Sequence, residues 1–202
     1  MNTDLVDTYL RAFDQAIHDV PRQQIVATCD LLLDAFDRNA WVFLVGNGGS
    51  AALASHFACD LEKTTAGTTP RSVQDRFRVC SLVDNVASLT AWGNDEGYEH
   101  IFSEGLRSRA RAGDVLVAIT ASGNSPNIVA ALERAGKMGL RTVGLLGFDG
   151  GRAKPLCEHA VHVASMDYGI VEGAHSVLTH LITRALAEDL EGRRADHERR
   201  AS

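Results

Sequence analysis

Twice along this chain an unbroken apolar run stops at a turn of glycine and hydroxyl residues, and a helix-favouring stretch follows. The first unit runs from Trp41 to Val45, turns through Gly46-Asn47-Gly48-Gly49-Ser50, and continues as an alanine-rich segment to about Lys63. The second runs from Val115 to Ile119, turns through Thr120-Ala121-Ser122-Gly123-Asn124-Ser125, and continues from Pro126 to about Met138, where Gly139 stops it. Proline suits the first position of a helix, with Ser125 as its cap, and glycine suits the end. A strand that is apolar throughout is one covered on both faces. Strands alternating with helices predict an α/β fold, a doubly wound parallel sheet with helices on both sides. In such sheets ligands bind beyond the carboxyl ends of the strands, and both turns fall on that edge.

The remaining segments fit around this frame. Apolar residues at helical spacing predict helices over 3–19 and 22–38, with Pro21 between them. These two extra N-terminal helices cover a sheet face or build an oligomer contact. Residues 64–75 read as loop, Phe77 to Val83 as a short strand, 85–92 as a helical piece, and Gly93-Asn94-Asp95-Glu96-Gly97 as a polar turn. A helix over 98–110 precedes the second unit. A strand from Arg141 to Leu146 ends at Gly147–Gly151, a short helix and a strand from Ala160 to Val163 follow, and a last helix runs from Tyr168 to about Leu190. A chain of 202 residues suits one domain, 1–191, with 1–40 as its leading helices and 192–202 as a charged, frayed tail.

Charge and cysteine usage exclude several classes. The net charge is −6, and no basic cluster stands in the sequence outside the extreme C-terminus, which argues against a nucleic-acid module. No apolar run approaches the ~18 residues of a membrane span. The N-terminus is polar and acidic, unlike a targeting segment. Cys29, Cys59, Cys80 and Cys157 are scattered with no CxxC pair, as expected of reduced thiols in a cytoplasmic protein.

The two turns and two polar helices carry the chemistry. Backbone N–H groups at a helix start attract anions, because the first four lack intrahelical partners and the dipole adds partial positive charge. Thr120, Ser122 and Ser125 add three hydroxyls to such a start, which makes a phosphate site without arginine. There is no Gly-Lys-Ser/Thr, so this is not a nucleotide P-loop. Gly46-x-Gly48-x-x-Ala51 fits a loose dinucleotide fingerprint, but the acidic residue wanted about 20 positions on is missing from 64–74. His56 and Asp60, four apart, share one helix face. Glu172 and His180, eight apart on the last helix, face broadly the same way. Two histidines and two carboxylates from two helices suit zinc or a similar divalent ion, and equally suit acid–base catalysis.

These motifs, taken in order, resemble sugar isomerase (SIS) domains, and within them the phosphoheptose isomerases. The resemblance rests on Gly46-Asn-Gly-Gly-Ser50 with His56-Phe57-Ala58, on Gly93-Asn94-Asp95, on Ser122-Gly-Asn-Ser125 and on the C-terminal Glu/His helix. It spans nearly the whole chain. It implies a flavodoxin-like fold, a homotetramer, and active sites shared between subunits. It implies that Asn47, Gly48, Gly49, Asn94 and Asp95 contact the sugar, that Thr120, Ala121, Ser122 and Ser125 hold its phosphate, and that Glu172 also touches substrate. His56, Asp60, Glu172 and His180 fall where the family binds zinc, and the Asp60 and His180 positions also move protons there. Two departures stand out: the family usually has Glu at Asp60 and Gln at Glu172. Gly169 stands where the family often carries Asp.

The expected activity is therefore an aldose–ketose isomerisation of sedoheptulose 7-phosphate to a glycero-manno-heptose 7-phosphate through an enediol. Asp60 or Glu172 acts as base, His180 shuttles a proton, and a divalent ion assists. The alternatives are a non-catalytic SIS module that binds a sugar phosphate or a protein partner, and an isomerase of another ketose phosphate. His175 is read as a packing or supporting residue.

Overall fold

The computed structural model describes residues 3–66 and 76–201. Its centre is a five-stranded, all-parallel sheet of β1 (Trp41–Gly46), β2 (Arg78–Ser81), β3 (Val115–Thr120), β4 (Arg141–Leu146) and β5 (His159–His162). The spatial order is β2-β1-β3-β4-β5, so the direction of winding reverses between β1 and β3. The ligand crevice of a doubly wound sheet opens at that reversal. Both glycine–hydroxyl turns leave the sheet there, one from each strand.

The helices are α1 (Thr3–His18), α2 (Arg22–Asp37), α3 (Gly49–Lys63), α4 (Val86–Asp95), α5 (Ile101–Arg109), α6 (Pro126–Met138) and α7 (Tyr168–Ala201). Side chains alternate across the pleat, and each face of the sheet buries its own set. Val42, Leu44, Val115, Val117 and Ile119 pack with Leu32 of α2, Phe57 and Leu61 of α3, and Ile182 and Leu186 of α7. Phe43, Val45, Leu116 and Ala118 pack on the other face with Phe102 and Leu106 of α5 and Ile128 and Leu132 of α6. Every residue of β3 is buried, as its uniform apolar character requires. The helix α1 packs on α7 and leaves Leu5, Val6 and Leu10 exposed. Among the described residues no helix is long and apolar enough to cross a membrane.

Three expectations change. Gly93, Asn94 and Asp95 are not a turn but the last residues of α4, and the reversal comes at Gly97 with φ +103°. The helix is held from its start by Asn85, whose side chain accepts the Ser88 N–H at 3.0 Å, and that cap carries it past the glycine. The tail beyond Gly192 is not frayed: α7 continues to Ala201. Arg193 reaches Asp37 at 3.0 Å and Arg194 donates to the Thr65 carbonyl at 2.8 Å, which ties the extension to α2 and to the turn after α3. Ser125 occupies the cap position of α6, but its hydroxyl makes no capping bond. Residues 64–66 form a 3₁₀ turn, and the rest of the expected loop, 67–75, lies outside the described residues.

Candidate active site

Glycine at position 46 is demanded by the way α3 folds back on β1: a Cβ there would lie 2.3 Å from the Ser50 carbonyl oxygen. Gly48 then takes the cap position with φ +53°, a conformation that favours glycine, and offers no side-chain acceptor to the first turn of α3. The α3 N-terminus is thus open to an anion from outside. The second turn is braced internally. The Thr120 hydroxyl accepts the Gly123 N–H at 3.2 Å, and the Ser122 hydroxyl accepts the Asn124 N–H at 3.3 Å. Thr120 and Ala121 are both buried, whereas the Ser125 hydroxyl stays uncommitted at the start of α6.

The two turns are joined by a pair the sequence did not announce. Asn47 and Asn127 exchange side-chain hydrogen bonds, each amide donating to the other's carbonyl oxygen at 2.9 and 2.8 Å. The Ile128 N–H also donates to the Asn127 side-chain oxygen, which settles which way that amide points. Tyr98 adds a hydroxyl bond to Asn47 at 3.1 Å. Asn47 therefore acts as a strut between the loops. Asn127 had one local signal, its place directly after Pro126 at a helix start. Tyr98 had none. A cavity of ≈ 460 Å³ beside Asn47 and Gly48 is walled by Leu89, Gly93 and Tyr98. Asn94 and Asp95 are exposed at the end of α4 and bond each other at 2.8 Å.

The polar residues of α3 and α7 meet along the seam between those helices. Asp60 lies between two imidazoles, 3.5 Å from His56 Nε2 and 3.2 Å from His180 Nδ1. The two rings stand edge to face with centroids 5.0 Å apart. One ligand atom from each of the three lies within 4.8 Å of the others, a donor set of two nitrogens and one carboxylate oxygen that suits zinc or a similar divalent ion. Glu172 is not in this group. It precedes His180 by two turns, about 12 Å along the axis, and its carboxylate sits over Gly49, so a shared face does not bring it to the same depth. Glu172 and His56 do line one cavity of ≈ 320 Å³ with Gly49 and Ser50. Gly169 has its own explanation: a Cβ there would come within 2.6 Å of the Tyr9 hydroxyl of α1, so that space is taken.

His175 lines the same cavity, is fully buried, and has no hydrogen-bond partner on either ring nitrogen. Burial pushes its pKa down to about 4. The unfolded chain therefore binds the proton first as pH falls, and stability drops between the ordinary value of 6.5 and about 4. The expected loss over that window is about 3 kcal/mol. Urea titrations at a series of pH values will check it: His175→Leu should flatten the acid limb by that amount, and an unchanged limb would refute the assignment.

Residues 8–147 match the model of the SIS domain family. A phosphoheptose isomerase from Pelobacter propionicus is 38% identical over 153 residues, covering 75% of this chain and 77% of the relative. One from Helicobacter pylori is 32% identical over 187 residues, covering 90% and 94%. Among solved structures, the phosphoheptose isomerase GmhA of Neisseria gonorrhoeae superposes with a TM-score of 0.82 at 27% identity, covering 92% of this chain and 98% of that one.

Proposed function

We propose that this chain, which belongs to the phosphoheptose isomerase family of SIS-domain proteins, is an intramolecular oxidoreductase that converts sedoheptulose 7-phosphate to a glycero-manno-heptose 7-phosphate. The observation that supports the reading is the Asn47–Asn127 link between the two glycine–hydroxyl turns together with an imidazole–carboxylate–imidazole group farther along α3. In this proposal the phosphate rests on the Thr120–Ser125 turn, where the Ser125 hydroxyl makes no capping bond and is left to meet it. The carbon chain passes over Gly48, where nothing lies within 4 Å, and Glu172 orients a sugar hydroxyl from above Gly49.

Asp60 takes the proton from the carbon beside the carbonyl, and the same proton is returned to the former carbonyl carbon. His180, 3.2 Å from Asp60, moves a proton between the two oxygens of the enediol. His56 on the other side holds the Asp60 carboxylate in line. His56, Asp60 and His180 would hold a zinc or similar divalent ion. When bound, that ion supplies positive charge to polarise the sugar oxygens. The exposed Leu5, Val6 and Leu10 of α1 support assembly into a homotetramer, and the free cysteines suit a cytoplasmic enzyme.

The test is to incubate the purified protein with sedoheptulose 7-phosphate and follow the aldose. Turnover is expected, falling by at least about 100-fold on chelation, the scale seen when one charge-stabilising group is lost. No turnover with or without added zinc would reject the substrate. A panel of five- to seven-carbon ketose phosphates would then separate another isomerase from a binding module.

A further inference from the structure

The opposite edge of the sheet, where the strands begin, gathers charge of the other sign from the chain as a whole. Four arginines from separate segments line one cavity of ≈ 350 Å³: Arg38 after α2, Arg78 at the start of β2, Arg109 at the end of α5, and Arg111 before β3. Three of the four are held in place. Arg38 donates to the Gly113 carbonyl at 3.0 Å, Arg109 to the Gly105 carbonyl at 3.2 Å, and the Arg78 guanidinium lies 4.6 Å above the Trp41 ring. Only Arg38 is neutralised, by Asp34 at 2.9 Å. Among the described residues no carboxylate forms an ion pair with Arg78, Arg109 or Arg111. Asp114 lines the cavity as well, but both its oxygens are taken by main-chain N–H groups, from Trp41 at 2.9 Å and from Arg111 at 2.8 Å.

We propose that this pocket binds a small anion carrying two or more linked phosphate groups. Guanidinium forks match phosphate oxygens two at a time, and they are less tightly hydrated than ammonium groups. Three forks without an ion-pair partner, set against the single carboxylate of Asp114, leave the concavity net positive and suited to an anion. The volume is at the low end of the roughly 300–1,000 Å³ usual for small-molecule sites, roomy for one phosphate and suited to a joined pair. The pocket lies across the sheet from the glycine–hydroxyl turns, so its occupant is distinct from a sugar phosphate bound there.

Isothermal titration of the intact protein with inorganic pyrophosphate, at roughly physiological salt so that loose surface charge is screened, tests the site. Binding at least tenfold tighter than orthophosphate is expected. Arg109→Gln/Arg111→Gln should weaken pyrophosphate by about tenfold or more for each fork lost, with no change in the circular dichroism spectrum. Ser122→Ala/Ser125→Ala should leave pyrophosphate affinity as it is. If the double arginine variant fails to fold, Arg111→Gln alone carries the test, because that guanidinium makes no hydrogen bond or ion pair among the described residues. Pyrophosphate affinity that survives the arginine changes, or that vanishes with the loop serines, overturns the proposal. So does an absence of binding at millimolar concentration, or a change of oligomeric state in the arginine variant without any pyrophosphate binding.

Discussion

Asp60→Ala is expected to remove nearly all turnover of the sugar phosphate while leaving the fold in place. The loss should be on the order of 10³-fold or more in kcat, since one substitution deletes the proposed base and the central ligand atom of the His56–Asp60–His180 group. The Asp60 side chain is 17% exposed on α3 with the two imidazoles as its ion-pair partners, and alanine is the better helix former, so the melting temperature should move little. Metal analysis should show reduced zinc in the variant, because two neutral imidazoles on neighbouring helices make a poorer site than the same pair with a carboxylate between them. Asp60→Asn separates the roles, since it keeps the shape and removes the charge. A variant at position 60 that turns over at the native rate would end the proposed mechanism, whatever its metal content.

The second large effect is structural. Gly123→Ala should destabilise the protein by about 2–4 kcal/mol, lowering the melting temperature by roughly 5–15 °C. Gly123 has φ +65°, and a Cβ there would lie 2.1 Å from the Gly150 carbonyl oxygen. No side chain can yield, because the obstacle is backbone. The two loops interlock: the Ala153 N–H donates to the Gly123 carbonyl at 2.9 Å, and the Arg152 N–H to the Asn124 side chain at 3.1 Å. The methyl must therefore push the Thr120–Ser125 turn away from the loop after β4, and, with the phosphate held as proposed, the Michaelis constant should rise with the loss of stability. Gly136→Ala is the matched control. It sits inside α6 with nothing within 4 Å of its added methyl, so alanine there should stabilise by about 0.5–1 kcal/mol. Differential scanning calorimetry of the two variants reads both signs, and a native melting point for Gly123→Ala would show that the loops are not locked.

Much of the frame was legible because it is written locally. Among the described residues, apolar runs, glycine turns and helical spacing located the five strands and seven helices to within a few residues at most ends. The His56–Asp60 pair was legible for the same reason, being four residues apart on one helix. Errors arose where a local cue met a competing one. Gly93-Asn94-Asp95 looks like a turn by composition, yet the cap at Asn85 extends α4 through it. Glu172 and His180 share a face of α7, and spacing alone could not say that the α3 packing puts only His180 beside Asp60.

By itself, then, the sequence determined the α/β class, the two glycine–hydroxyl turns and the residue types able to do the chemistry, since these depend on backbone preference and on neighbours a few positions away. The tertiary structure decided which of those residues meet. It set Asp60 between imidazoles 124 positions apart, tied Asn47 to Asn127 across the loops, and drew Arg38 and Arg78 to the neighbouring pair Arg109 and Arg111 in one pocket. Such meetings are fixed by how helices seat on a twisted sheet, through the summed packing of many buried side chains, and no local pattern encodes that sum.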